Sequence, residues 1–152
     1  MSKKAILRGM SAITPLCIGD FPFSFIVGAL SVSAGMSIWQ STAWSTIVIA
    51  GSAQMLALNM LKTGASIGVI IFTTLIINLR HVLYSASLSS QVREASFFKK
   101  CFMAYALTDE VYATTIKEME QNKKDKYLFY FSAMLTFWVV WVFADFLGAL
   151  VG

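Results

Sequence analysis

Between Asp20 and Lys62 the sequence carries no Asp, Glu, Lys or Arg. That run is about twice the ~20 residues with which a helix crosses a hydrocarbon core. A soluble amphipathic helix would show a polar face at every turn, and no such face repeats here. Two further uncharged runs lie between Lys62 and Arg80 and between Lys126 and Asp145. Composition agrees: 57% of the 152 residues are apolar and 13% charged, with a mean hydropathy of +0.69. Soluble domains are about half apolar and about a quarter charged. A chain this short cannot bury so much apolar side chain in water, so lipid is its expected solvent. The expected fold class is all-α, a polytopic membrane helical bundle forming one transmembrane domain over residues 1–152.

Five hydrophobic segments are expected, at about 9–34, 38–61, 63–84, 97–116 and 127–152. The tight Lys62-Thr63-Gly64 turn predicts that the second and third are antiparallel neighbours. Polar connectors cover 89–96 and 117–126, and no internal repeat stands out. Ser2-Lys3-Lys4 through Arg8 reads as a basic flank rather than a secretory leader, because the apolar run after it continues past signal length without a cleavage pattern. With the N-terminus in the cytoplasm, five crossings put Lys3, Lys4, Arg8, Lys62, Lys117, Lys123, Lys124 and Lys126 inside. Arg93, Lys99 and Lys100 fall outside, the asymmetry that the positive-inside rule expects. If the first segment re-entered as half-helices instead of crossing, everything downstream would invert. The net charge of +4 sits on these flanks and does not point to nucleic acid. Cys17 and Cys101 lie in apolar surroundings with no Cys or His at ligand spacing, and read as packing residues. No metal or other cofactor is expected.

Polar residues inside lipid are expensive and mark pathways or partners, so the interruptions carry the functional information. Gly19-Asp20-Phe21-Pro22-Phe23-Ser24 falls within the first segment, where proline removes a donor and clashes with the preceding turn. One reading is a helix broken at Asp20-Phe21-Pro22, whose half-helix ends bind charged solute groups. The other is a proline kink with Asp20 among the headgroups. Ala50-Gly51-Ser52-Ala53-Gln54 sets a polar amide among small residues, as do helix contacts in membranes. Gln54 would serve packing, solute contact, or both. Gly64 and Gly68 form a GxxxG pair read as helix packing.

Asn78-Leu79-Arg80-His81 puts Asn78 and His81 on one helix face and Arg80 on another. Arg80 would either snorkel to the interface or act in the site. His81, the single histidine, cannot build a metal cluster but titrates near neutral pH. Thr108-Asp109-Glu110 places two acids in the fourth segment, about 100° apart around a helix. Arg80 is expected to pair with Asp109 or Glu110. Asp145 is a further buried-acid candidate. No nucleotide-binding loop, zinc-protease helix or nucleophile elbow occurs, which points away from an enzyme.

These motifs, in this order and across essentially the whole chain, resemble the AzlC-like branched-chain amino acid permeases. The likeness rests on the proline-phenylalanine motif at 19–23, on Ala50-Gly51-Ser52-Ala53-Gln54, on Asn78-Leu79-Arg80-His81 and on Leu107-Thr108-Asp109-Glu110. It implies secondary-active export of branched-chain or other hydrophobic amino acids across a prokaryotic inner membrane. It also implies a second, smaller subunit of the AzlD type, with a homo-oligomer as the alternative assembly. Asp20, Pro22, Phe23 and Ser24 would then offer helix ends, and Gln54, Asn78, Arg80 and His81 hydrogen bonds or charge. Thr108, Asp109 and Glu110 would bind the substrate ammonium or carry the coupling proton. Ser24 stands where the family usually has glycine, and Gly148-Ala149-Leu150-Val151-Gly152 falls where longer members continue. The rivals are a truncated or non-transporting membrane subunit and a permease for another small solute.

Overall fold

The computed structural model describes residues 2–121 and 124–152, so Lys123, counted above on the inner side, lies outside the described residues. Among those described the chain is all-α, with seven helices: α1 (Ser2–Ser33), α2 (Ile38–Ile47), α3 (Gly51–Lys62), α4 (Ile67–Leu88), α5 (Phe97–Tyr105), α6 (Asp109–Glu120) and α7 (Lys126–Val151). Three of them, α1, α4 and α7, are long and apolar enough to cross a membrane. Of the five expected segments, the first, third and fifth correspond to these long helices, and the second and fourth are each divided between two short helices.

The interruptions are not where proline suggested. α1 runs unbroken through Pro15, Asp20 and Pro22, which corrects the expected break at Asp20-Phe21-Pro22. A proline inside a helix removes one backbone bond, whereas a full break in lipid strands several carbonyls and amides at once. Continuing the helix is the smaller cost. The second and fourth segments break instead, at residues 48–50 and 106–108. The first break falls within the β-branched run Thr46-Ile47-Val48-Ile49, whose side chains lose rotamer freedom in a helix, and ends before Gly51. The second is written by a capping signal. The Thr108 hydroxyl accepts from the Val111 amide at 3.3 Å, and Asp109 and Glu110 occupy the first turn of α6, where acids complement the helix dipole. Both breaks are buried, with Ala50 and Ala106 only 5% and 1% exposed. That is the setting in which non-helical backbone survives at membrane depth. The halves are closely matched, with 10 and 12 residues around the first break and 9 and 12 around the second.

The chain forms two compact units. The first comprises Met1–Cys17 and Arg80–Trp138. There α1 meets α6 and α7: Arg8 pairs with Glu118, and its guanidinium lies 5.5 Å from the centre of the Phe129 ring. Fully buried Tyr130 on α7 donates to the Met103 carbonyl of α5 at 2.8 Å. The second unit comprises Ile18–Leu79 and Val139–Gly152. Here α1 and α7 touch backbone to backbone, and glycine is what permits it. A Cβ on Gly28 would meet the Asp145 carbonyl and lie 2.8 Å from the Ala149 amide nitrogen. One on Gly148 would strike the Phe25 carbonyl, and one on Gly152 would come 2.6 Å from the Ala29 Cα.

This reassigns the glycines. Gly64 has φ +74°, and its Schellman bonds (Gly64 N to Leu61 O, Ala65 N to Met60 O) close the end of α3. Gly68 has open space around it. The GxxxG pair that packs is Gly148 and Gly152, not Gly64 and Gly68. Cys17 is buried as a packing residue should be, whereas Cys101 is exposed on α5. Gly148→Ala is expected to cost about 1–3 kcal/mol through overpacking, while Gly68→Ala gains up to ~1 kcal/mol from helix propensity. Denaturation of the purified chain in mixed detergent micelles measures both. Equal responses at the two positions would contradict the reassignment.

Candidate functional site

Each helix break carries its own polar cluster. In the first unit, Arg80 on α4 forms an ion pair with Asp109 at the start of α6, its Nη1 on Oδ2. Both side chains are about one-third exposed, at 31% and 37%. The same turns of α4 supply aromatic neighbours. The His81 ring centre lies 6.2 Å from that of Tyr84, and Tyr84 stacks on Tyr112 of α6 at 4.5 Å. The Tyr112 hydroxyl lies 2.8 Å from that of Ser87. His81 Nε2 is buried with no hydrogen-bond partner. Thr108 is the α6 cap and Glu110 sits half-buried beside Asp109. Arg80 thus engages one of the two acids that follow Thr108, as the 100° spacing requires of neighbours on a helix.

A cavity of about 250 Å³ in the same unit is lined by Ser85, Leu88, Ser89 and Val92 from α4 and the residues after it, and by Met103, Leu107 and Tyr130 among others. Its wall reaches the residue before Thr108, so an apolar space and the ion pair share the α5–α6 break.

The second unit holds a different set. Asp145 on α7 is fully buried and accepts from two hydroxyls of α2, Ser45 at 2.7 Å and Ser41 at 3.1 Å. Ser41 and Ser45 are four residues apart and so share a face. Gln54 of α3, also fully buried, donates to the Ser45 hydroxyl at 2.9 Å, bridging the 48–50 break. Its Oε1 has no partner. Ser24 donates to the Trp141 carbonyl at 2.7 Å, one turn before Asp145, and Phe23 packs on the Trp141 ring at 6.3 Å. Ser24 is therefore a strut between α1 and α7.

The expected residues divide accordingly. Arg80, His81, Thr108, Asp109 and Glu110 gather in the first unit, and Phe23, Ser24 and Gln54 lie in the second. Asn78, half-buried with its Oδ1 unpartnered, also belongs to the second. Asp20 and Pro22 offer no half-helix ends, because α1 is continuous there. Ser41 and Ser45 were not singled out by sequence. Hydroxyls spaced i, i+4 in a charge-free stretch are the signal that would have found them.

Apolar helices long enough to span a bilayer, joined to two buried breaks that carry charge and hydrogen-bonding groups, define a multispan membrane protein with a polar interior. The chain belongs to the AzlC family: the family described as "AzlC protein" matches residues 15–152. It is 30% identical over 148 residues to the inner membrane protein YgaZ of Escherichia coli, covering 96% of this chain and 60% of that protein. An uncharacterized membrane protein of Archaeoglobus fulgidus is 29% identical over 153 residues, covering 100% of this chain and 65% of the relative. One from Helicobacter pylori is 26% identical, covering 90% and 60%. The chain thus spans less than two thirds of the length of these relatives. No solved structure matches it. These relatives are described as membrane proteins.

A double-mutant cycle on Arg80→Ala and Asp109→Ala, read by thermal stability in micelles, is expected to give a coupling of about 0.5–3 kcal/mol. Additive single effects would contradict a functional ion pair.

Proposed function

We propose that the chain is the transmembrane subunit of a secondary-active permease that exports branched-chain or other hydrophobic amino acids across a prokaryotic inner membrane. The observation that carries this reading is the Arg80–Asp109 pair at a buried helix break that also borders an apolar cavity. A hydrophobic amino acid is a zwitterion with an apolar side chain, so it asks a membrane site for one cation, one anion and an apolar space. Arg80 suits the carboxylate because its planar fork binds carboxylates in two-point fashion. Asp109 suits the ammonium. The α6 N-terminus, whose first amides point outward with partial positive charge, adds to the carboxylate side.

The cavity, at about 250 Å³, is smaller than the ~300–1,000 Å³ of drug-sized sites. Leu88, Val92, Met103 and Leu107 would receive the aliphatic side chain. In the empty site Arg80 and Asp109 neutralise each other, and solute charges would replace that contact on binding. The exchange keeps charge paired throughout, which matters where an unpaired charge is costly. A small AzlD-type membrane protein is the proposed second subunit, and an ion gradient the proposed energy source.

Cells fed dipeptides of valine, isoleucine and methionine, with and without the gene, test this directly. Expression is expected to lower the intracellular pool and raise efflux of at least one of the three. Arg80→Ala or Asp109→Ala should cut that efflux about tenfold or more, equivalent to ~1.4 kcal/mol. Unchanged pools and efflux for all three amino acids would overturn the proposal.

A further inference from the structure

The Asp145 cluster is not used by the solute site above, and its composition is unusual for packing alone. A carboxylate in lipid normally faces a cavity or a partner cation, yet no cation pairs with Asp145 among the described residues. Its neighbours are uncharged on every element that contacts it. α2 presents Ser41 and Ser45, α3 reaches the cluster through Gln54, and α1 contributes the Gly28 backbone. The other charged side chains of the unit are Asp20, half-buried on α1, and Lys62, exposed at the end of α3. Neither hydrogen-bonds to Asp145.

We propose that Asp145 is the proton-binding group that couples transport to a proton gradient, with Ser45 and Gln54 as the chain that follows its charge state. This rests on the permease reading above. A proton is the cation that a fully enclosed carboxylate can accept without opening the packing, because it adds no volume. In the ionised form, Gln54 donates to Ser45 and Ser45 donates to Asp145 Oδ1. When a proton adds to Oδ1, that oxygen becomes the donor. The Ser45 hydroxyl then rotates to accept from it and turns its own hydrogen toward Gln54, whose amide rolls over to present Oε1.

Each member can both donate and accept, so the chain reverses polarity with only a proton bound and no heavy-atom bond broken. The unpartnered Gln54 Oε1 is the acceptor that this reversal requires. Because the Gln54–Ser45 bond bridges the 48–50 break, the reversal also changes what holds α2 to α3. Proton binding is thereby linked to the 48–50 break between α2 and α3.

The test uses the purified chain in proteoliposomes, with infrared difference spectra recorded between acid and alkaline pH. A protonated-carboxyl band that appears on acidification and is absent from Asp145→Asn supports the proposal. A spectrum unchanged by that substitution overturns it. Should Asp145→Asn fail to fold, Ser45→Ala carries the test: losing a hydrogen-bond partner should move the same band to higher frequency, and an unmoved band overturns the proposal.

Transport supplies the second readout. For labelled methionine, the ratio of pH-gradient-driven accumulation to gradient-free exchange should fall at least tenfold in Asp145→Asn, and an unchanged ratio overturns the coupling role. If the wild-type chain, reconstituted together with the proposed AzlD-type subunit, neither exchanges nor accumulates any hydrophobic amino acid, the exporter reading falls. An Asp145-dependent band in that same sample still supports proton binding, so the two failures are distinguishable.

Discussion

Lipid offers backbone groups no hydrogen bonds, and that constraint decides where this chain bends and where it carries chemistry. A helix can stop inside an apolar segment only if protein houses the freed amides and carbonyls. Both breaks are buried in protein, and each has a polar cluster beside it. Around 106–108, the Thr108 hydroxyl caps α6, Arg80 holds Asp109, and Tyr130 takes the Met103 carbonyl. Around 48–50, Gln54 reaches back across the break to Ser45, which with Ser41 binds Asp145. At 106–108 the Thr108 and Tyr130 hydroxyls take up backbone groups, whereas the bonds beside 48–50 run between side chains. Interhelical hydrogen bonds in membranes contribute only ~0.6 kcal/mol each on average, so several must act together to hold such a joint.

The two clusters differ in kind, and the difference suits different ligands. Opposite charges at the α6 N-terminus complement a zwitterion and stay neutral as a pair when it leaves. Hydroxyls and an amide around a lone acid offer no place for a bulky ion, but they accommodate a proton by reorienting. Matching break lengths with unlike chemistry give the chain two joints of the same build. One faces a solute-sized cavity and the other encloses an ionisable group.

Hydropathy made the membrane class and the helical fold plain, because charge-free runs of that length have no soluble solution. Local signals were less faithful. Pro22 predicts either a break or a kink, and α1 spans it, since one missing bond costs less than a helix end in lipid. Thr108-Asp109-Glu110 was read as a buried acid pair, although its order is a capping residue followed by first-turn acids, a helix-start signal that was legible. Arg80 and an acid of that motif could be paired from charge alone. The Asp145 cluster could not, because its partners sit 100 and 104 residues away in sequence on α2. Only packing brings them together. Gly148 and Gly152 were likewise invisible as the true packing pair until the α1 backbone lay against them.

At the centre is the proposal that the 106–108 break holds a hydrophobic amino acid. Single cysteines at Ala50 and Ala106, in a background lacking Cys17 and Cys101, address it most directly. Labelled in vesicles by a small charged thiol reagent, the Ala106 site should react and should be protected by millimolar valine or methionine, while glutamate leaves its rate unchanged. The Ala50 site, beside the Asp145 cluster, should show no protection by either amino acid. An Ala106 site whose labelling no hydrophobic amino acid alters would contradict the claim.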